Sequence, residues 1–211
     1  MNLILFSLAA CKNADNTKKE PKHPVEIIID ADTGNEMDDL YAIVSALQDT
    51  NLLVKGLISA HFNNVQLLTD SMWHIYPTKG INTLQISQDL NEALLKTLNR
   101  EDIPHPAGCE QMVGFAWGYY EGAFIPTSAG VDFIIENAMK MDAENKLNVV
   151  CLGAVTNVAA AILQQPEIAN RIRLYALTMK INEDNMAWNK NSFNARNDIN
   201  GLDILLNTPE L

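Results

Sequence analysis

The sequence predicts an α/β fold: a mainly parallel, open sheet with helices on both faces. Short β-branched apolar runs alternate with segments whose apolar residues recur at helical spacing, as strands and crossover helices require. The strand-like runs are near-continuously hydrophobic, the pattern of strands covered on both sides. Across 211 residues, 47% are hydrophobic and 19% charged, which is enough apolar matter for one packed domain and too short a chain for two comfortable ones.

The first apolar run, residues 3–10, is too short to span a bilayer and suits the hydrophobic region of a signal peptide. Leu8-Ala9-Ala10-Cys11 is similar to the lipobox of bacterial lipoproteins, which would make Cys11 a lipid anchor. No basic residue precedes the run, a departure from the usual leader. Residues 12–24 are polar and read as a tether. The expected organisation is therefore a leader and tether over 1–24 and a folded domain over 25–211. That domain would be held at the cell envelope, periplasmic or surface-facing, touching membrane only through the anchor.

Residues 25–30 read as the first strand, and Leu40, Ile43, Val44 and Leu47 set the spacing of a helix that follows it. A second strand is expected over 53–59, a helix near 65–76, a third strand near 83–87 and a helix near 91–98. Residues 100–127 interleave glycines with aromatics and break the pattern. They read either as binding loops or as a helix with an aromatic core face and surface turns. Helical spacing resumes over 128–141. A strand then follows over 147–152, a helix over 156–165 stopped by Pro166, and a strand over 172–178.

Charge and cysteine usage narrow the function. With 26 acidic against 15 basic residues, the chain repels phosphate backbones and has no basic stripe, which excludes nucleic-acid polymers as partners. The cysteines at 11, 109 and 151 show no CxxC spacing, so neither a disulfide framework nor a zinc ribbon is indicated. Cys151 lies in an apolar run and reads as core filler.

The segment Asp30-Ala31-Asp32-Thr33-Gly34-Asn35-Glu36-Met37-Asp38-Asp39 places four aspartates between a strand's carboxyl end and the mouth of the next helix. That is where ligands bind in open α/β sheets. Capping needs only one aspartate. Carboxylates this crowded repel unless protonated, hydrogen-bonded or neutralised, and hard oxygen ligands select calcium or magnesium.

Asp30 to Ala42 resembles the signature of the nucleoside hydrolase family. Leu152-Gly153-Ala154-Val155-Thr156-Asn157 resembles the family's Leu-Gly-Pro-Leu-Thr-Asn turn, and Ser192-Phe193-Asn194 followed by Asp198 resembles its Glu-Phe-Asn with a trailing Asp. The resemblance runs from about Val25 to the last residue. It implies the family's Rossmann-like core, hydrolysis of the base–ribose bond by calcium-bound water, a small nucleoside or other ribosyl substrate, and a tendency to form homo-oligomers. Carried over by motif, Asp32, Asp39 and the Thr156 carbonyl are implied calcium ligands and Asp32 the general base. Asp38 and Asn194 are implied to hold ribose hydroxyls, with Asn64 a further residue for that work. Ser192 stands where the family has the glutamate that reaches the 5′-hydroxyl, which leaves recognition there open. Family members also supply a late His-Asp pair. No matching segment occurs before Leu211, so a C-terminal part is expected to be missing. His61, His74 and His105 stand in no matching motif and are not read as substitutes.

Two other readings remain at this point. Asp30-Ala31-Asp32-Thr33 at a strand end is also similar to haloacid-dehalogenase-type phosphatases, with a phosphorylated first aspartate. A membrane-tethered protein that binds a ribosyl or other sugar without cleaving it would keep Asp38 and Asn194 and turn over nothing.

Overall fold

A computed structural model describes residues 23–64, 80–115, 118–189 and 191–211. Cys11 and the leader, the helix expected over 65–76, and His74 lie outside the described residues. Four parallel strands form the main sheet: β1 (Val25–Ala31), β2 (Leu52–Ser59), β3 (Leu147–Cys151) and β4 (Ile172–Ala176), in the order β2-β1-β3-β4. One of the two inner strands, β1, is thus the one that ends in the acidic segment.

Alternation along β1 sends Ile28 to one face and Ile27 and Ile29 to the other. On the first face lie α3 (Ala129–Ala138), α4 (Thr156–Gln164) and α6 (Ile199–Leu206), whose Val131, Ile134, Val158, Leu202 and Leu205 enclose Ile28, Val149 and Cys151. On the second lie α1 (Asp38–Gln48) and α2 (Thr83–Thr97), which contribute Ile43 and Leu95 to a smaller cluster with Ile103. Both faces are covered, as continuous apolar strands demand. A short hairpin, β5 (Lys180–Asn182) with β6 (Ala187–Asn189), and a one-turn helix, α5 (Phe193–Asn197), follow β4.

One expected element is wrong in kind. Residues 83–87 are not a strand but the first turns of α2, which continues unbroken through the helix expected at 91–98. Asn82 caps it by accepting from Gln85 N at 3.0 Å. Leu84, Ser87, Asn91 and Leu95 then fall on one buried face at helical spacing. The Leu84–Ile86 alternation that suggested a strand is a local coincidence overridden by that longer period.

The stretch 100–127 contains no helix among its described residues. Its beginning lies along β2 as a substitute edge strand. The carbonyls of Pro104 and Pro106 accept from Leu57 N (2.9 Å) and Ser59 N (3.4 Å), and Gly108 N donates to Ser59 O at 3.0 Å. The intervening carbonyls point away and are also occupied, His105 O by the Gln88 side chain at 2.9 Å and Ala107 O by Gly130 N at 2.8 Å. Farther on, Phe115 and Tyr120 stack with centroids 6.1 Å apart.

Gly108 sits where a Cβ would lie 2.2 Å from the Ser59 carbonyl oxygen and 2.3 Å from the Asn157 side-chain nitrogen. Neither neighbour is free to retreat, because both are hydrogen-bonded within the sheet and core. Gly108→Ala is therefore expected to destabilise by about 1–3 kcal/mol, lowering the melting midpoint by roughly 2–10 °C. An unchanged midpoint in a thermal melt would show that this approach is not tight.

Candidate metal and sugar site

The chain leaves β1 at Ala31 and turns at once, with Asn35 N donating to Asp32 O at 2.8 Å. Met37 occupies the N-cap position of α1 without a side-chain cap, while Asp38 and Asp39 stand in the first turn. Capping is therefore not their role, although the helix dipole favours negative charge there. Asp39 turns inward and is buried, whereas Asp38 is exposed.

Three carboxyl groups are buried within ten residues of chain, with Asp30, Asp32 and Asp39 at 0%, 3% and 7% exposure. Asp30 is satisfied, accepting from Asn157 Nδ2 at 2.9 Å and from the Cys151 thiol at 3.7 Å. Burial nonetheless pushes it up to about 7. Burial and then the repulsion of Asp39 hold Asp32 well above the ordinary carboxylate range, and burial with the repulsion of Asp38 raises Asp39 to about 6. Asp32 Oδ2, Asp39 Oδ2 and Asn35 Oδ1 are buried oxygens that meet no hydrogen-bond donor. Unsatisfied hard oxygens at one place are what a divalent cation requires, and they are costly without one. The described residues hold no cluster of three or more His, Cys, Asp or Glu suited to a metal. A cation here would accordingly complete its shell with carbonyl, amide, hydroxyl or water oxygens, all ordinary partners of calcium.

These groups form one wall of a cleft of about 300 Å³, beyond the carboxyl ends of β1, β3 and β4. Asp32, Asn35, Asp38 and Asp39 face Thr178, Lys180, Ser192 and Asn194 across it. Asn194 donates its amide hydrogens to the carbonyls of Leu152 and Leu177, the residues just past β3 and β4, and lines the cleft. Ser192 is the N-cap of α5, accepting from Ala195 N at 3.3 Å and donating to Thr178 O.

Two expected site residues are not among those that line the cleft. Asn64 is drawn to α5, its backbone N donating to Asn197 Oδ1 (3.1 Å) and its side chain to Arg196 O (2.6 Å). It is not among the residues lining the cleft. Thr156 begins α4 and is fully buried, and the role expected of it belongs to its carbonyl oxygen rather than to its side chain. Its hydroxyl caps no helix. It lies between His61 Nε2 and Asp198 Oδ2 instead.

Sequence reasoning passed over several supporting residues. Gly153 is packed so closely that a Cβ would lie 2.6 Å from Asp32 Oδ1. Asn157 joins Asp30 to Cys109 N, accepting from the latter at 2.7 Å. Thr33 Oγ1 donates to Asn91 Oδ1 at 2.6 Å, and Asn91 donates to Ser59 Oγ at 3.0 Å. Two signals were available: the Leu152–Asn157 motif, which contains Gly153 and Asn157, and Asn91, a polar residue at a core position of its helix. Buried His61 is depressed to about 4 by desolvation and is therefore neutral. His105 is tied to its own loop through Ile103 O at 2.9 Å.

The sign of the pH dependence follows. A carboxyl raised in the folded state keeps its proton where the unfolded chain has lost it, so metal-free stability falls as pH rises from about 4 to about 7. His61 acts oppositely, costing stability as pH falls from 6.5 toward 4. Against one histidine stand the raised carboxyls of Asp30, Asp32, Asp39 and Asp198, and a cation held by Asp32 and Asp39 relieves the penalty of those two carboxyls. The melting shift produced by calcium is expected to be larger at pH 7.5 than at pH 5, as measured by scanning calorimetry. A shift equal at both pH values would rule these carboxyls out as its ligands.

Comparison with known proteins identifies the family and the fold. The family model described as inosine-uridine preferring nucleoside hydrolase matches residues 27–210. A probable uridine nucleosidase 2 of Arabidopsis thaliana is 28% identical over 149 residues, covering 70% of this chain and 44% of that protein. Among solved structures, a purine-preferring ribonucleoside hydrolase from Gardnerella vaginalis superposes with a TM-score of 0.60 at 20% identity over 87% of this chain and 58% of its own. A plant nucleoside hydrolase does so with 0.57 at 24% identity over 86% and 56%. The two structures share the fold, and the chain spans about half the length of the proteins it matches. Since the matched span takes in nearly all of the described domain, with the acidic segment and both later motifs, the chain belongs to the inosine-uridine preferring nucleoside hydrolase family.

Proposed function

We propose that this chain binds a nucleoside by its ribose and hydrolyses the N-glycosidic bond, releasing base and ribose. The observation that carries this reading is the Asp32–Asp39 pair, whose buried, donor-less oxygens stand in the wall of a cleft that also presents Asp38 and Asn194. Calcium would be held by Asp32 and Asp39, with the Thr156 carbonyl as the third protein ligand the family resemblance implies, and would supply the charge that acidifies a water and orients the ribose hydroxyls.

The protein's own groups do the rest. Asp32 takes the proton of the attacking water as the C–O bond forms at the anomeric carbon and the C–N bond breaks. The departing base leaves with the bond's electron pair and takes a proton from solvent, to which Asp32 returns the proton it removed from the water. Asp38, exposed at the rim, and the amide oxygen of Asn194 accept hydrogen bonds from ribose hydroxyls. The surrounding carboxylates stabilise the positive charge that develops on the ribosyl ring in the transition state. Ser192 contributes no charge and is itself held by Thr178 O, so it grips a 5′-hydroxyl less firmly than a carboxylate would. The phosphatase reading needs Asp30 as an accessible nucleophile, but Asp30 is fully buried and hydrogen-bonded to Asn157 and Cys151.

The test is ribose release from inosine and uridine, with calcium present or chelated, read beside a thermal melt. Calcium-dependent release is expected. A calcium-shifted melt without release would instead favour a sugar-binding protein, and the absence of both would end the metal reading. Asp32→Ala is expected to abolish release and the calcium-induced melting shift together, because one carboxylate serves water and metal. Release that persisted unchanged in that variant would remove Asp32 from the mechanism.

A further inference from the structure

Behind the cleft wall runs a chain of side chains that the proposed mechanism does not use. His61, just past β2, lies with Nε2 2.9 Å from Thr156 Oγ1, and that hydroxyl lies 2.6 Å from Asp198 Oδ2. Asn63 N donates to His61 Nδ1 at 3.2 Å. This last contact fixes every hydrogen. Nδ1 is an acceptor, so Nε2 carries the proton and donates to Thr156, whose only hydroxyl proton goes to Asp198. Asp198 also accepts from Val113 N at 3.0 Å and Gly201 N at 2.7 Å. All three side chains are buried, at 1%, 0% and 0% exposure in the order His61, Thr156, Asp198.

The order is histidine, hydroxyl, carboxylate. A nucleophilic triad places histidine in the middle and leaves the hydroxyl open to substrate. Here the hydroxyl is central, engaged on both sides and closed to solvent, so the relay does no chemistry of its own. Its effect is geometric. A β-branched side chain has little χ1 freedom, and a hydroxyl gripped from two sides removes what remains. Thr156 is therefore fixed, and with it the turn from Gly153 to Val155. The far end of that turn is Gly153, pressed against the Asp32 carboxylate.

Resting on the metal reading above, we propose that His61, acting through the Thr156 hydroxyl and Asp198, is a positioning residue that holds the turn at the start of α4 in register with Asp32 and Asp39, so that cation affinity depends on an intact relay. Thr156→Val keeps the shape and removes the hydroxyl, while Thr156→Ser restores it. His61→Leu removes only the donor and leaves Thr156 bonded to Asp198. Calcium affinity is read by titration calorimetry on the full chain, and folding by a cooperative melt in chelator. Loss of the relay is expected to weaken calcium about 10–100-fold in Thr156→Val and His61→Leu, the range for groups that orient ligands, with Thr156→Ser close to the parent. If Thr156→Val fails to fold, the contrast between His61→Leu and Thr156→Ser carries the test. Parent-like calcium affinity in the folded variants overturns the relay while sparing the metal reading. If the parent protein itself takes up no calcium, the metal reading falls and the relay proposal with it.

Discussion

The organising constraint of this molecule is the burial of three carboxyl groups at the end of an inner strand and the start of the following helix. Burying one carboxylate is costly, and burying several together is sustained only by shared protons, donors or a cation. Each neighbouring segment can be understood as an answer to that demand. The turn after β3 supplies Asn157 to Asp30 and, at Gly153, the lack of a side chain that lets the backbone close on Asp32. Gly108 in turn lets the loop beside β2 close on Asn157. What stays unanswered by protein is one buried oxygen on each of Asp32, Asn35 and Asp39, residues that line the cleft.

The two later motifs share out distinct duties at this site. In the turn beginning at Leu152, glycine gives closeness, threonine gives anchorage and asparagine gives hydrogen bonds to a carboxyl that would otherwise lack them. In the Ser192–Asn194 segment, serine caps α5 while Asn194 ties together the chain ends of β3 and β4. The cleft is thus assembled from the exits of separate parallel strands, which is why its shape depends on packing far below it.

Much of this was legible in the sequence, and the misses have physical causes. β1, α1, β2, β3 and α4 were readable because each has an uninterrupted apolar period, and the acidic segment because crowded like charges need an explanation. Residues 83–87 misled because a few residues of alternation look the same in a strand and at the start of a helix; only the spacing through Asn91 and Leu95 separates them. The hairpin after β4 has strands of three residues each, too short to show any period. The relay was invisible for another reason. His61 and Thr156 lie 95 residues apart, and Thr156 and Asp198 another 42. A histidine without a motif carries no sign of what it will meet after folding.

The loop beside β2 has a consequence for how such a sheet can associate. Its outward carbonyls, those of His105 and Ala107, are already taken by Gln88 and Gly130, so those acceptors are closed to another strand. The opposite margin is different. Among the described residues β4 has no strand on its outer side; Tyr175 is exposed on it, and Ile172 and Leu174 line an apolar hollow beside Leu202 and Leu205. The two margins of the described sheet therefore differ in kind: one is lined by a proline-bearing loop, the other presents an exposed strand beside an apolar hollow.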